Sequence, residues 1–429
     1  MINSNNKAEN LKYFTKRKKI TASYYYLLIG DLLSRIGDYI YQLAIPLYVL
    51  YLTGSSVMMG ISFAVEQAGL ILSGLIAGTL VDRGNPKKII QVTSVLQTII
   101  VSTIPILHYL GVKSIYPILV VGFILIALNF LYRTAINSLI PLIVEKSLLP
   151  SASGKFSISR SISKTFGPLL AGLVLAAFDP INTLWLDALT FLIIFTLCNF
   201  ITTSSNGSEI KNNDSKENEL QDKENKRKFW RDTAEGFLII FKNRSIFEIT
   251  ILNFFLNVGY VAMFAMLIFH LKDTLQYSTH QIAYVFTADG IGAFIAGMLL
   301  PYFMRKISTG YLILFSTLIM GISMVLVGWT HNIFLVGISF GILMFSSQIN
   351  NRSIYTYWQA VVPHNQLGRV FSLNTMLEGV SVPIAGFTAG IVVDHLGSTI
   401  LMQFCGYITL LVFLVFYTFS NIRKLQFTD

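Results

Sequence analysis

Residues 78–90 read GTLVDRGNPKKII, a short run dense in charge and turn-forming residues set between two stretches apolar enough to cross a bilayer. From Ser55 to Val81 the only ionisable side chain is Glu66. At about 1.5 Å rise per residue, a helix over that run exceeds the ~30 Å hydrocarbon core. From Ile89 to Leu110 the chain crosses back. The connection is too short to be anything but a tight turn, so Asp82, Arg83, Lys87 and Lys88 sit together at one face of the membrane. Their basic excess assigns that face to the cytoplasm.

The rest of the composition agrees. With 429 residues, 53% hydrophobic and 13% charged, the chain is too apolar for a soluble domain of its size. A net charge of +10 raises the question of a nucleic-acid partner, and the location of the charges answers it. Alternating spans put twenty-five of the 32 Lys and Arg on the side of the hairpin and both chain ends, and only Lys113 and Lys272 on the other. That asymmetry is the positive-inside signature, and it excludes nucleic acid as the partner. The basic start is followed by an apolar stretch that runs on to Leu52 without a small-residue cleavage site, which reads as a retained first helix. Cys198 and Cys405 fall inside apolar spans, and no zinc spacing, phosphate-cradling glycine loop or nucleophile elbow occurs. No enzyme chemistry and no cofactor is therefore expected.

Twelve spans are predicted, near 24–52, 55–81, 89–110, 114–144, 156–178, 183–201, 246–271, 281–304, 310–329, 333–362, 370–393 and 399–420. Residues 204–228 are almost devoid of apolar side chains and read as a connector. The stretch 229–241, FWRDTAEGFLIIF, reads as an amphipathic helix on the inner leaflet. The two halves echo each other. A shift of 223 lays Ser55 on Ser278, Phe63 on Phe286, Glu66 on Asp289, Gly69 on Gly292 and Gly74 on Gly297. A shift of 215 lays Phe156, Ser157 and Pro168 on Phe371, Ser372 and Pro383. The order-preserving set indicates a duplicated six-helix unit. The expected organisation is a cytoplasmic segment 1–23, a bundle 24–203, a linker 204–243, a second bundle 244–420 and a tail 421–429, both ends cytoplasmic.

The hairpin resembles the signature loop of the major facilitator superfamily, a Gly-x-Leu-x-Asp-Arg core with a basic tail. The matching residues are Gly78, Leu80, Asp82, Arg83 and Lys87, and Asn85 stands where the family has a glycine. The resemblance implies an all-α polytopic protein with twelve transmembrane helices in two pseudo-symmetric bundles, working by alternating access, with this loop as a cytoplasmic gate. The fifth span contains Ser163-Lys164-Thr165-Phe166-Gly167-Pro168-Leu169-Leu170-Ala171-Gly172. Its Gly167, Pro168 and Gly172 look like the fifth-helix motif of drug:proton antiporters in the same superfamily. Leu52-Thr53-Gly54-Ser55 and Gly368-Arg369-Val370-Phe371-Ser372 add a likeness to the macrolide-efflux branch. That likeness implies export of amphiphilic small molecules from the cell membrane by a monomer driven by a proton gradient. Movement of a lysophospholipid or a siderophore is the alternative within transport, and a non-transporting membrane sensor or scaffold is the alternative outside it.

Charged side chains inside spans are costly, about 2.5 to 3.5 kcal/mol each on insertion scales, and so mark candidate working groups. Asp31, Arg35 and Asp38 share one stripe of the first span, with Arg35 placed to bridge both carboxylates. Glu66 lies at mid-span, and Asp289 is its repeat mate. Held in low dielectric, these two, with Asp38, are the candidates for binding and releasing the coupling proton and for recognising a cationic substrate. Asp187 and Glu378 are candidate pocket-lining acids nearer span ends. Arg133, Arg160, Lys164 and Arg352 lie near the inner ends of their spans and are expected to snorkel or to pair with carboxylates rather than to bind anything. Asn253 and Asn257 are expected to pack helices together.

Overall fold

The structure is a computed structural model that describes residues 20–202 and 240–424, without the side chains of Leu72, Leu75, Ile76, Thr79, Asp82, Arg83, Lys146, His364, Asn365, Arg369, Ser372 and Lys424. The stretch 229–241 lies outside the described residues except for Ile240 and Phe241, which are helical.

Twelve long helices are described: α1 Ala22–Thr53, α2 Ser56–Arg83, α3 Pro86–Tyr109, α4 Tyr116–Ile143, α5 Leu149–Ala177, α6 Pro180–Asn199, α7 Arg244–Phe269, α8 Thr279–Lys306, α9 Thr309–Trp329, α10 Ile333–Val361, α11 His364–Leu396 and α12 Ser398–Phe419. Their ends follow local chemistry. Ser55, Asn85, Asn243, Ser278 and Asn332 each turn a side-chain oxygen onto the orphan amides of the helix that follows, and Ser278 with Gln281 forms a full capping box. Gly54 closes α1 at φ +60°, a left-handed position that a residue with a Cβ adopts only under strain. Asn85, the departure from the family glycine, is the N-cap of α3 and accepts from the amides of Lys87 and Lys88.

Nine of the helices are long and apolar enough to cross a membrane. The other three are α1, α2 and α5. α1 carries Asp31, Arg35 and Asp38, α5 carries Lys155, Arg160 and Lys164, and in α2 the apolar part is the shorter Ser56–Ile71. The fifth helix begins at Leu149 rather than near 156, because Pro150 in its first turn starts a helix where the polar sequence suggested a loop. The eleventh likewise begins at His364, directly after Pro363, rather than at 370.

The packing repeats with the sequence. α1 lies on α5 and α6, α2 on α4, and α3 on α4 and α6. Six helices later, α7 lies on α11 and α12, α8 on α10, and α9 on α10 and α12. The halves meet through α2 with α11 and α5 with α8, the same pair under the repeat, and α7 also touches α1 and α2.

One end of this assembly is closed and the other is parted. On the side of the turns at Gly54, Asp179 and Gly397, residues of both halves share one apolar core, which includes Met59, Leu175, Ile282 and Ala389. Toward the side where α1 and α7 begin, the cores separate. Tyr24, Ile136 and Phe156 belong to a cluster of the first half alone, and Ile246, Trp358 and Ile422 to one of the second alone. The glycines show the same gradient. A Cβ on Gly60 would lie 2.8 Å from the Gly386 carbonyl oxygen, and one on Gly390 would lie 2.8 Å from that of Ser56. Farther along α11, Gly379 faces open space, as does Gly297 in the last turns of α8.

Candidate functional site

Between the halves lies a cavity of about 580 Å³. Its wall takes Arg35, Asp38, Tyr39 and Tyr41 from α1, Phe63, Glu66 and Gln67 from α2, Asn129 and Arg133 from α4, and Arg160 and Lys164 from α5. The second half contributes Phe264 and Phe286. A chamber of about 270 Å³ adjoins it, sharing Tyr39, Phe63, Lys164 and Phe286 and reaching Tyr260, Asp289 and Gln348. The aromatic lining offers stacking faces to an apolar molecule.

The polar stripe of α1 divides between two partners. Arg35 donates from Nε to Asp31 at 2.7 Å, and Asp31 is fully buried. Arg35 does not bridge to Asp38. Asp38 is instead held from α4, where Arg133 Nη2 donates to one carboxylate oxygen at 2.8 Å and Asn129 Nδ2 to the other at 2.6 Å. Arg133 Nε also donates to Asn129 Oδ1, which fixes the pair one helical turn apart. Arg133 thus pairs with a carboxylate, one of its two expected fates, and it also lines the cavity. The signal was the i, i+4 spacing of Asn129 and Arg133, which puts both on one face.

Glu66 sits in the cavity wall against α4, where the missing side chain of Gly122 makes room for it. A Cβ there would lie 2.7 Å from Glu66 Cγ and 2.9 Å from Oε1. The buried hydroxyl of Tyr41 is its polar neighbour. Among the described residues no Lys or Arg pairs with Glu66.

Asp289 is 5% exposed and its Oδ1 has no hydrogen-bond partner. It faces the adjoining chamber, so Glu66 and Asp289 line different spaces, and Lys164 lines both.

Two expected pocket acids lie elsewhere. Asp187 is fully buried between α6 and α1, and a Cβ on Gly37 would lie 2.4 Å from its Oδ1; both of its oxygens lack a partner, and neither cavity reaches it. Glu378 lines neither cavity because Asn253 and Asn374 donate to its Oε1 at 2.9 and 2.7 Å, tying α7 to α11 inside the second half. Asn253 thus packs helices as expected, and Asn257 does the same by accepting from Ser381 at 3.2 Å.

In the hairpin, Gly78 and Leu80 lie in the last turns of α2 and Leu80 is exposed. Lys87 donates from Nζ to the carbonyl oxygen of Ile201 at 2.7 Å, beside the C-terminus of α6, where a cation is favoured. The side chains of Asp82 and Arg83 lie outside the described residues. In α5, the bare face of Gly167 takes the ring of Tyr39, and Gly172 lets α8 approach until its would-be Cβ lies 3.0 Å from the Ala283 carbonyl oxygen. Pro168 sits between them in an unbroken helix and lines the smaller chamber.

Comparison with known proteins fits this architecture. The family model described as Major Facilitator Superfamily matches residues 27–386 and again 250–426. The chain is 22% identical over 405 residues to macrolide efflux protein A of Streptococcus pyogenes, covering 94% of this chain and 97% of that one. It is 22% identical over 415 residues to the Staphyloferrin A transporter of Staphylococcus aureus, covering 94% and 98%. Among solved structures, a bacterial homologue of the iron transporter ferroportin in its inward-facing state superposes with a TM-score of 0.68 at 15% identity, covering 94% of this chain and 100% of that one.

Proposed function

Since the chain belongs to the Major Facilitator Superfamily, we propose that it is a secondary transporter that exports amphiphilic small molecules, of the macrolide type, in exchange for protons. The observation that carries the proposal is Glu66, a carboxyl group in the wall of the central cavity with no basic partner among the described residues. An unpaired carboxylate at that depth is costly when charged, so a change in its water access changes its proton occupancy. Asp289, in the adjoining chamber, is the second candidate carrier, and Asp38, ion-paired with Arg133 in the cavity wall, is the third. No cofactor is required beyond the ion gradient.

The proposed setting is the cell membrane, with the chain ends and the 203–239 connection on the cytoplasmic side. The fused core on the turn side and the parted cores on the terminal side then support an inward-facing arrangement, in which the cavity is ready to load from the cytoplasm. Gly78, Leu80, Asp82, Arg83 and Lys87 are proposed to close that side in the opposite state, while Gly167, Pro168 and Gly172 set the α5 contact on which the halves pivot. A monomer suffices, because two bundles already enclose the cavity.

Growth of an exporter-deficient host under a panel of amphiphilic antibiotics, with and without the chain, tests the proposal. Protection against at least one compound, lost in Glu66→Gln at equal membrane abundance, is expected. Protection against none would remove the drug-export reading. Normal movement against a pH gradient by Glu66→Gln vesicles would remove the coupling role. Likeness to the Staphyloferrin A transporter favours a second reading, carriage of a siderophore, and uptake by iron-starved cells separates the two.

A further inference from the structure

The cavity wall carries four basic side chains, and they are not equivalent. Arg35 is neutralised by Asp31 at 2.7 Å and Arg133 by Asp38 at 2.8 Å. Arg160 and Lys164 have no carboxylate within ion-pair distance among the described residues, and they stand one turn apart on α5. Arg160 leans on the Phe156 ring at 5.3 Å and gives Nη2 to the neutral Asn137 at 2.6 Å, which leaves its buried Nε with no partner. Lys164 is exposed to the cavity and lines both the main space and the adjoining chamber.

Of the carboxylates nearby, Asp289 acts on Lys164 across the chamber without forming an ion pair, Asp31 is engaged by Arg35 and Asp38 by Arg133, and Glu66 lines the same cavity outside ion-pair distance of either cation. Arg352 of the second half adds a further positive charge within range of Lys164. Tyr39, Phe63, Phe264 and Phe286 bound the space beside Lys164 with aromatic surface.

We infer that Arg160 and Lys164 form a binding site for an anionic headgroup, a carboxylate or phosphate, so that the cargo is an amphiphile with a negative end whose apolar body lies along the aromatic wall. The physical reason is that two cations outside any ion pair gain charge-assisted hydrogen bonds from an anion, bonds that no carboxylate of the wall, Glu66 and Asp38 included, gives them at ion-pair distance among the described residues. The inference deepens the transport reading and rests on it. It sets aside the preference for cationic cargo that Glu66 alone would suggest.

The purified full-length chain, titrated with an undecyl chain bearing a dansyl fluorophore at one end and a carboxylate, phosphate, primary amide or amine at the other, tests the inference by fluorescence enhancement. The expected order is both anions about tenfold or more tighter than the amide, with the amine weakest. The tighter of the two anions identifies the headgroup. Lys164→Gln should bring the anions down to the level of the amide, and Lys164→Arg should restore the difference. Equal binding of all four forms, or tighter binding of the amine, overturns the anion site while leaving an amphiphile transporter. Binding of none overturns the transport reading and the anion site with it.

Discussion

The guanidinium of Arg133 on α4 donates to the Asp38 carboxylate on α1 at 2.8 Å, while Asn129, one turn away on the same helix, holds the other oxygen at 2.6 Å. The pair borders the cavity and is partly open to it, with Arg133 40% and Asp38 22% exposed. Removing either partner leaves the other half-desolvated. Arg133→Gln and Asp38→Asn should each lower thermal stability in detergent, and the double variant should lose less than the sum, with a coupling of about 1 kcal/mol after allowance for solvent screening. Strict additivity in a melting series would show that the pair contributes nothing.

Gly122 controls Glu66 by absence. A methyl group there would arrive 2.7 Å from Glu66 Cγ and force the side chain to another rotamer. On the proposed function, Gly122→Ala should therefore impair transport about as strongly as Glu66→Gln, with a change in stability under about 1.5 kcal/mol. Transport assays in vesicles, alongside melting curves, separate this from unfolding.

Gly69 and Gly292, repeat mates, each press a bare Cα against the backbone of a neighbouring helix. The would-be Cβ of Gly69 lies 2.5 Å from the Phe123 carbonyl oxygen, and that of Gly292 lies 2.0 Å from the Gly341 carbonyl oxygen. Backbone cannot swing aside as a side-chain end can. Gly69→Ala and Gly292→Ala should each destabilise by about 1 to 3 kcal/mol, the latter more. Thermal shift of the two variants checks both the magnitude and the order.

Gly390→Val tests the closed end. The new side chain would meet the Ser56 carbonyl oxygen at 2.8 Å and the Gly60 Cα at 3.2 Å, across the contact of α2 with α11. The variant should favour the state parted on the turn side. Spin labels at Lys113→Cys and His331→Cys, one in each half, should report a longer distance than in the parent chain, and an unchanged distance would show that this contact does not hold the end shut.

The sequence was most legible where physics acts locally. Span lengths, caps and the repeat follow from hydrophobic runs and from residues such as Ser55 and Ser278, whose side chains close helix ends unaided. Partner choice was less legible. Asp38 lies three residues beyond Arg35 on one stripe, yet it pairs with Arg133, which is 95 residues away and became a neighbour only when α4 packed near α1. Asp187 and Glu378 read as pocket acids because intramembrane charge marks function in general. Only the packing shows that one is sealed behind Gly37 and the other is held by Asn253 and Asn374. Start positions also slipped where a proline, Pro150 or Pro363, began a helix earlier than hydropathy did.

The apolar core common to both bundles has an energetic implication for cargo entering from opposite sides of the membrane. Parting the turn side wets Met59, Leu175, Ile282 and Ala389, which are now buried in one core, so that conformer starts at a disadvantage. A molecule arriving there meets mostly the wrong shape, and its apparent affinity falls by the fraction of chains that are open to it. Directionality would then be written partly into hydrocarbon contacts far from any titrating group, and a single methyl deletion among those four side chains would weaken the bias without touching the cavity.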